Sequence, residues 1–202
     1  MKKVYSILSL IVLTASILAQ ETEILLNTEQ QSEVSYSGYG GPLMLATGIN
    51  NEFGFCIGGK GGAVFNEKLV FGGIGFGMVN TPKFTGNNLS DDLNTPLEMS
   101  FGAGGIFLEY IFNFGDRIVF SIPLNIMAGG IKIKESGMET EIESSAFLII
   151  EPGINIDFHV SDFYTQSLFI SYRQAIGSSL TNLEDENISG MNVGLIFKFK
   201  AK

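Results

Sequence analysis

The sequence predicts an all-β chain: an eight-stranded antiparallel up-and-down transmembrane β-barrel preceded by a cleavable signal peptide. Three observations lead there. Apolar residues alternate with polar or glycine residues at period two in eight successive stretches, the connections between stretches alternate short and long, and after the N-terminus no apolar run approaches the length of a membrane-spanning helix. The chain of 202 residues is 45% hydrophobic and 16% charged, with 25 glycines but no Gly-X-Y period and only 5 prolines, which excludes collagen and low-complexity disorder.

Residues 1–19 join Lys2 and Lys3 to an apolar stretch and end on Ala19, the layout of a secretory signal, with 20–35 as a flexible periplasmic segment and 36–200 as the barrel domain. Ser6, Ser9, Thr14 and Ser16 interrupt the apolar stretch, against a retained anchor. The lone Cys56 permits no internal disulfide and lies too far from the cleavage site to carry a lipid.

The eight stretches fall near 36–48, 52–65, 69–80, 98–112, 117–133, 146–160, 164–177 and 190–199. In the fifth, Ile118, Phe120, Ile122, Leu124, Ile126 and Ala128 share a face against Ser121, Asn125 and Met127. In the sixth, Leu148, Ile150, Ile154, Ile156, Phe158 and Val160 oppose Glu151, Asn155, Asp157 and His159. The seventh sets Leu168, Ile170, Tyr172 and Ile176 against Ser167, Ser171 and Arg173, and the eighth sets Met191, Val193, Leu195, Phe197 and Phe199 against Asn192, Lys198 and Lys200. An apolar face toward lipid and a polar face toward the lumen is the expected arrangement. Val70, Ile74, Phe76 and Met78 share a face opposite one made largely of glycine, and Glu109 admits a bulge or change of face in the fourth stretch.

Asn66 to Lys68, Asn113 to Asp116 and Ser161 to Phe163 read as tight turns. Thr81 to Leu97, Lys134 to Ser145 and Ser178 to Ser189 read as long, polar, mostly acidic loops, and only the first external loop, at Ile49 to Asn51, is short. Phe65, Phe112, Phe114, Phe158, Phe163, Tyr164, Phe197 and Phe199 gather near the tight turns as an aromatic girdle. Glycines at 40, 41, 54, 58, 59, 61, 62, 72, 73, 75, 77, 102, 104 and 105 would let a small barrel coil sharply and make room for large neighbours.

A lumen this narrow is filled by side chains. Lys60, Glu109, Asn125, Glu151, Asn155, Asp157, Arg173 and Asn192 are the expected polar network, and the cost of burying charge predicts that Lys60 and Arg173 pair with carboxylates among Glu109, Glu151 and Asp157. No catalytic residue, metal site or cofactor is expected. Gly-Gly-Lys-Gly-Gly at 58–62 lacks the Ser/Thr and the helix of a phosphate loop. His159-Val160-Ser161 resembles the His-x-Ser of outer-membrane lipid A deacylases, but it falls on the periplasmic rim, opposite the leaflet that holds their substrate. The acidic excess, 21 Asp and Glu against 12 Lys and Arg, gives no footprint for nucleic acid.

Gly-Tyr-Gly-Gly-Pro (38–42), Gly-Gly-Lys-Gly-Gly (58–62), Gly-Gly-Ile-Gly-Phe-Gly (72–77), Glu-Pro-Gly-Ile-Asn-Ile (151–156) and Ser-Tyr-Arg (171–173) together resemble a family of small exported proteins of Bacteroidota known only as outer-membrane β-barrel domain proteins. The similarity runs from about residue 36 to 200. It implies an outer-membrane location and brings no catalytic residues. One departure from common barrel proteins is that the chain continues past Phe199 with Lys200, Ala201 and Lys202, where the insertion machinery commonly reads a final aromatic.

The expected function is structural, adhesive or envelope-maintaining. The expected partners are outer-membrane lipid, lipopolysaccharide and the barrel insertion machinery, and the expected state is a monomer. Asp91, Asp92, Glu139, Glu141, Glu143, Glu184, Asp185 and Glu186 would lie on outward loops, where divalent cations could bridge them to lipopolysaccharide. Two alternatives stand beside this reading: a soluble secreted or periplasmic ligand-binding barrel, apolar inside and polar outside, and an outer-membrane lipid-modifying enzyme.

Overall fold

Eight long strands, each bounded by turn residues where its alternation stops, build one sheet. The computed structural model describes residues 35–85, 96–113, 117–136, 141–180 and 183–201. The signal and the segment to residue 34, together with Asp91, Asp92, Phe114 and Glu139, lie outside the described residues.

The strands are β1 (Tyr36–Ile49), β2 (Glu52–Phe65), β3 (Leu69–Met78), β4 (Lys83–Thr85), β5 (Pro96–Asn113), β6 (Ile118–Glu135), β7 (Glu141–Ser161), β8 (Tyr164–Ile176) and β9 (Gly190–Ala201), with one turn of helix, α1 (Asp185–Ile188), between β8 and β9. Their order is β3-β2-β1-β9-β8-β7-β6-β5-β4, all antiparallel, and a further pairing of β3 with β5, from Leu69↔Tyr110 to Gly77↔Gly102, closes the ring. The barrel therefore has eight staves. The three-residue β4 pairs with the start of β5 beyond the closure.

Closure matters because a strand in lipid has no water to satisfy its backbone groups. Two hairpins turn on paired residues in the left-handed region, Asn50-Asn51 (φ 53° and 62°) and Asn66-Glu67 (φ 49° and 59°), the geometry whose twist matches that of the flanking strands.

The outer wall is apolar. Ile106, Leu108, Ile118, Phe120, Ile122, Ile126, Leu148, Ile154, Ile170, Tyr172, Val193 and Leu195 are all exposed, Ile154 to 56%. No helix of the described residues is long and apolar enough to cross a membrane, and the crossing elements here are strands. At the rim carrying the short turns, rings pair edge to face at Tyr36–Phe65 and Tyr110–Phe112, and stack at Tyr164–Phe199. Amphipathic rings at this height are what a bilayer interface selects.

Four expectations are corrected. The lumen is not polar throughout. Toward the long-connection rim it is packed with Leu43, Leu45, Cys56, Met99, Phe101, Met127, Ile131, Ile133 and Ile149, and Val70, Ile74 and Phe76 of β3 join this inward face. A bore too narrow for a water column is stabilised by close packing, so apolar side chains serve there as well as in a soluble core. Glu109 makes no bulge, since β5 keeps its register with both neighbours; the ladder shifts instead at Ile133/Lys134 and at His159/Ser161. The loop expected at 134–145 is largely strand, with Glu141 and Glu143 inside β7, where Lys132 and Glu141 pair across the hairpin at 3.1 Å. The described residues of the loop expected at 178–189, 178–180 and 183–189, pack onto the barrel as a strap that buries Leu180, Leu183 and Ile188.

The glycines divide by face. A methyl on inward Gly194 would lie 2.2 Å from the Met44 carbonyl oxygen and 2.5 Å from the Phe169 ring, whereas one on outward Gly75 would meet nothing nearer than 3.7 Å. Gly194→Ala is expected to destabilise the barrel by about 1–3 kcal/mol through overpacking, with Gly75→Ala close to neutral; urea unfolding in lipid vesicles, followed by gel mobility of unheated samples, measures both.

Candidate functional site

Side chains from the inward faces of seven strands meet in the barrel as three clusters. Their positions follow from period two: residues 60, 109, 121, 125, 151, 155, 157, 171, 173, 192 and 198 each sit at inward parity on their strand, so closing the sheet brings them together.

The first cluster lies toward the short-turn rim and centres on Glu109 of β5. Its carboxylate accepts from Lys60 Nζ at 2.8 Å, Ser121 Oγ at 2.6 Å, Lys198 Nζ at 3.3 Å and the Tyr39 hydroxyl at 3.2 Å. Lys198 also reaches Asp157 Oδ2 at 2.8 Å, and Asn155 Nδ2 donates to Ser121 Oγ at 3.1 Å. Both ammonium groups sit near aromatic rings, Lys60 at 4.1 Å from the Phe107 centroid and Lys198 at 4.8 Å from that of Tyr39.

The second cluster surrounds Glu151 of β7, which accepts from Asn125 Nδ2 (3.2 Å), Ser171 Oγ (2.8 Å) and Asn192 Nδ2 (2.9 Å). Its donors are neutral. Asn192 joins it to the third cluster, because its Oδ1 accepts from Arg173 Nη1 at 3.3 Å.

Arg173 is fully buried, and its five donors are all used: Nε and Nη2 on the Ile188 carbonyl at 2.8 and 2.5 Å, Nη2 on the Gly48 carbonyl at 2.8 Å, and Nη1 on Thr47 Oγ1 at 2.6 Å and on Asn192. Its guanidinium carbon stands 5.0 Å from the centroid of Phe101. The expected Lys60–Glu109 ion pair is present, while Arg173 meets no carboxylate directly among the described residues. A planar fork of fixed geometry is better matched here by the carbonyls of the β1 hairpin and the end of α1, and Glu151 is reached only through Asn192.

Asp185 secures the other end of the strap, its carboxylate accepting from the backbone N–H groups of Gly177 at 2.9 Å and Ser178 at 2.8 Å. Ser189 Oγ accepts from the Ala175 N–H at 3.0 Å.

All eight residues singled out from the sequence face inward and are buried. The alternation in the sequence puts Lys198 on the polar face of its strand, outside the expected network. The signal that could have added it was charge: Lys60 and Arg173 leave one of three carboxylates uncompensated, and Lys198 makes the buried charges three against three. Thr47, Ser121 and Ser171 give no such signal, since a hydroxyl at inward parity reads equally well as filler. His159 lies at the short-turn rim, exposed, with Nδ1 at 2.8 Å from Thr165 Oγ1 rather than on Ser161.

No family model matches this sequence, and no curated protein matches it. Among solved structures, the chain is similar to Neisserial surface protein A, with a TM-score of 0.56 at 9% identity over 84% of this chain and 97% of that one. It also aligns with Ail, the attachment invasion locus protein of Yersinia pestis, at TM-score 0.47 and 14% identity over 84% of this chain and all of Ail. At 9% identity the first likeness is one of fold: the small eight-stranded barrel of outer-membrane proteins.

Two predictions follow from the clusters. Glu109→Gln strips two buried ammonium groups of their shared anion and is expected to cost about 3–5 kcal/mol, while Glu151→Gln, whose partners are neutral, is expected to cost about 1–3 kcal/mol; equilibrium urea unfolding ranks them. Arg173→Met is expected to free the strap, so that limited proteolysis cuts within 177–189 many times faster while the barrel keeps its unheated gel mobility.

Proposed function

We propose that this protein is a non-enzymatic outer-membrane barrel with a structural, adhesive or envelope-maintaining role, its short-turn rim toward the periplasm and its strap and long hairpins outward. The polarity of the wall carries the reading. A cylinder with isoleucine, leucine and phenylalanine side chains exposed on its outside and ion pairs buried inside is stable in a bilayer, and would aggregate in water. That polarity is opposite to what the soluble ligand-binding alternative requires.

The filled interior supports a surface role rather than a transport role. Apolar packing and the strap occupy the outward half, and the Glu109 cluster lies across the half below it. What the barrel presents outward is backbone held rigidly by Arg173, Asp185 and Ser189, together with the upper ends of β5, β6 and β7, strands of 18, 18 and 21 residues against the ~9–11 needed to span. Adhesion is supported by this platform, and lipopolysaccharide is the partner its outward wall would meet first. Ester hydrolysis of an outer-leaflet lipid has no support, because His159 stands at the opposite rim.

Epitope insertions test orientation and role together. A tag after Glu184 is expected to bind antibody on intact cells, and a tag after Glu67 only after permeabilisation. Cells displaying the barrel are expected to adhere several-fold better to a glycan-coated surface, or to resist detergent several-fold better, than cells without it. Recovery in the soluble periplasmic fraction, or lipid A ester cleavage lost in His159→Ala, would overturn the reading.

A further inference from the structure

Between the Glu109 cluster and the short-turn rim, the inward side chains enclose a cavity of about 290 Å³. It opens at the rim and is floored by Tyr39 and by Lys198, whose ammonium reaches Glu109 and Asp157 beyond it. Its wall is mixed, with Val64, Ile111 and Val119 on the apolar side and Asp157, Lys198 and Lys200 among the polar residues.

The Asp157 side chain is nine-tenths buried. One oxygen, Oδ2, rests on Lys198 Nζ at 2.8 Å; the other, Oδ1, has no hydrogen-bond partner among the described residues. A buried carboxylate oxygen calls for a donor, and this residue lines the cavity. Lys200 lies two residues closer to the rim on the same inward face of β9 as Lys198. It is exposed and makes no ion pair among the described residues.

A plain cation is disfavoured here by Lys198 and Lys200, and a plain anion by Asp157. A molecule carrying both charges satisfies both ends, and the apolar wall accommodates a hydrocarbon side chain between them. The volume lies near the small end of ligand sites, about 300 Å³.

We propose that this cavity binds a small zwitterion of the amino-acid or dipeptide class, its ammonium donating to Asp157 Oδ1 and its carboxylate held by Lys200 at the mouth. The inference rests on the geometry of the rim and stands apart from the surface role of the opposite end, so its failure leaves the proposed function intact.

The test uses the full barrel refolded in detergent micelles and titrated calorimetrically with alanyl-leucine, its N-acetyl derivative and its C-terminal amide. Alanyl-leucine is expected to bind saturably, and each blocked derivative at least tenfold more weakly. Lys200→Gln, at an exposed position, is expected to bind the free dipeptide and its amide alike while still rejecting the acetylated form. Asp157→Asn, where unheated gel mobility shows it folded, is expected to lose the preference for a free ammonium. Should Asp157→Asn not fold, Lys200→Gln and the blocked peptides decide alone. No saturable binding by the wild-type barrel, equal binding of all three peptides, or a Lys200→Gln barrel that discriminates as before would overturn the proposal.

Discussion

The pairing of β3 with β5 is the constraint on which the rest of this structure depends. A sheet whose outer face is hydrocarbon cannot leave an edge open, because each unpaired backbone N–H or C=O in lipid costs several kcal/mol. The seam that joins Leu69–Gly77 to Gly102–Tyr110 removes the last edges, and seven of its paired positions are glycine: Gly72, Gly73, Gly75, Gly77, Gly102, Gly104 and Gly105. Once eight staves close, the bore is fixed, and a bore of that width leaves no room for bulk water. The inward side chains must then satisfy one another.

The two halves of the interior meet that demand differently. Toward the long-connection rim the chain fills space with apolar side chains, whose packing needs no partners beyond close contact. Toward the short-turn rim it buries charges, and buried charges are tolerated only when paired and hydrogen-bonded. Lys60 and Lys198 share Glu109, Lys198 extends to Asp157, and Asn192 relays between Glu151 and Arg173. Arg173 occupies the boundary. Its donors hold the backbone of the strap and of the β1–β2 hairpin, so one buried side chain couples the interior to the outward surface.

The strands were legible because alternation is a local property. Ile118 to Ala128, or Met191 to Phe199, could face lipid only with Ser121 and Asn125, or Asn192 and Lys198, pointing in. Strand ends were less legible. Residues 134–145 carry enough charge to read as a loop, yet Lys134 lies opposite Glu141 and Lys132 pairs with Glu141 on the diagonal, which prolongs the hairpin in a way that only cross-strand register makes visible. Residues 178–189 read as solvated because their apolar members, Leu180, Leu183 and Ile188, are spaced without a period. They are buried by a surface that the barrel itself supplies.

The sequence by itself determined the class of fold, the eight staves, the alternation of tight and long connections and the inward parity of the polar residues, since all of these are carried by neighbours within a strand. Only the tertiary structure decided which charge meets which. Lys60 and Glu109 are 49 residues apart, Lys198 and Glu109 are 89 apart, and Arg173 reaches Thr47 across 126. Those distances in sequence collapse to hydrogen-bond lengths because the ring closes and its strands are staggered, and stagger is set by the summed pairing of the whole sheet rather than by any one segment of it.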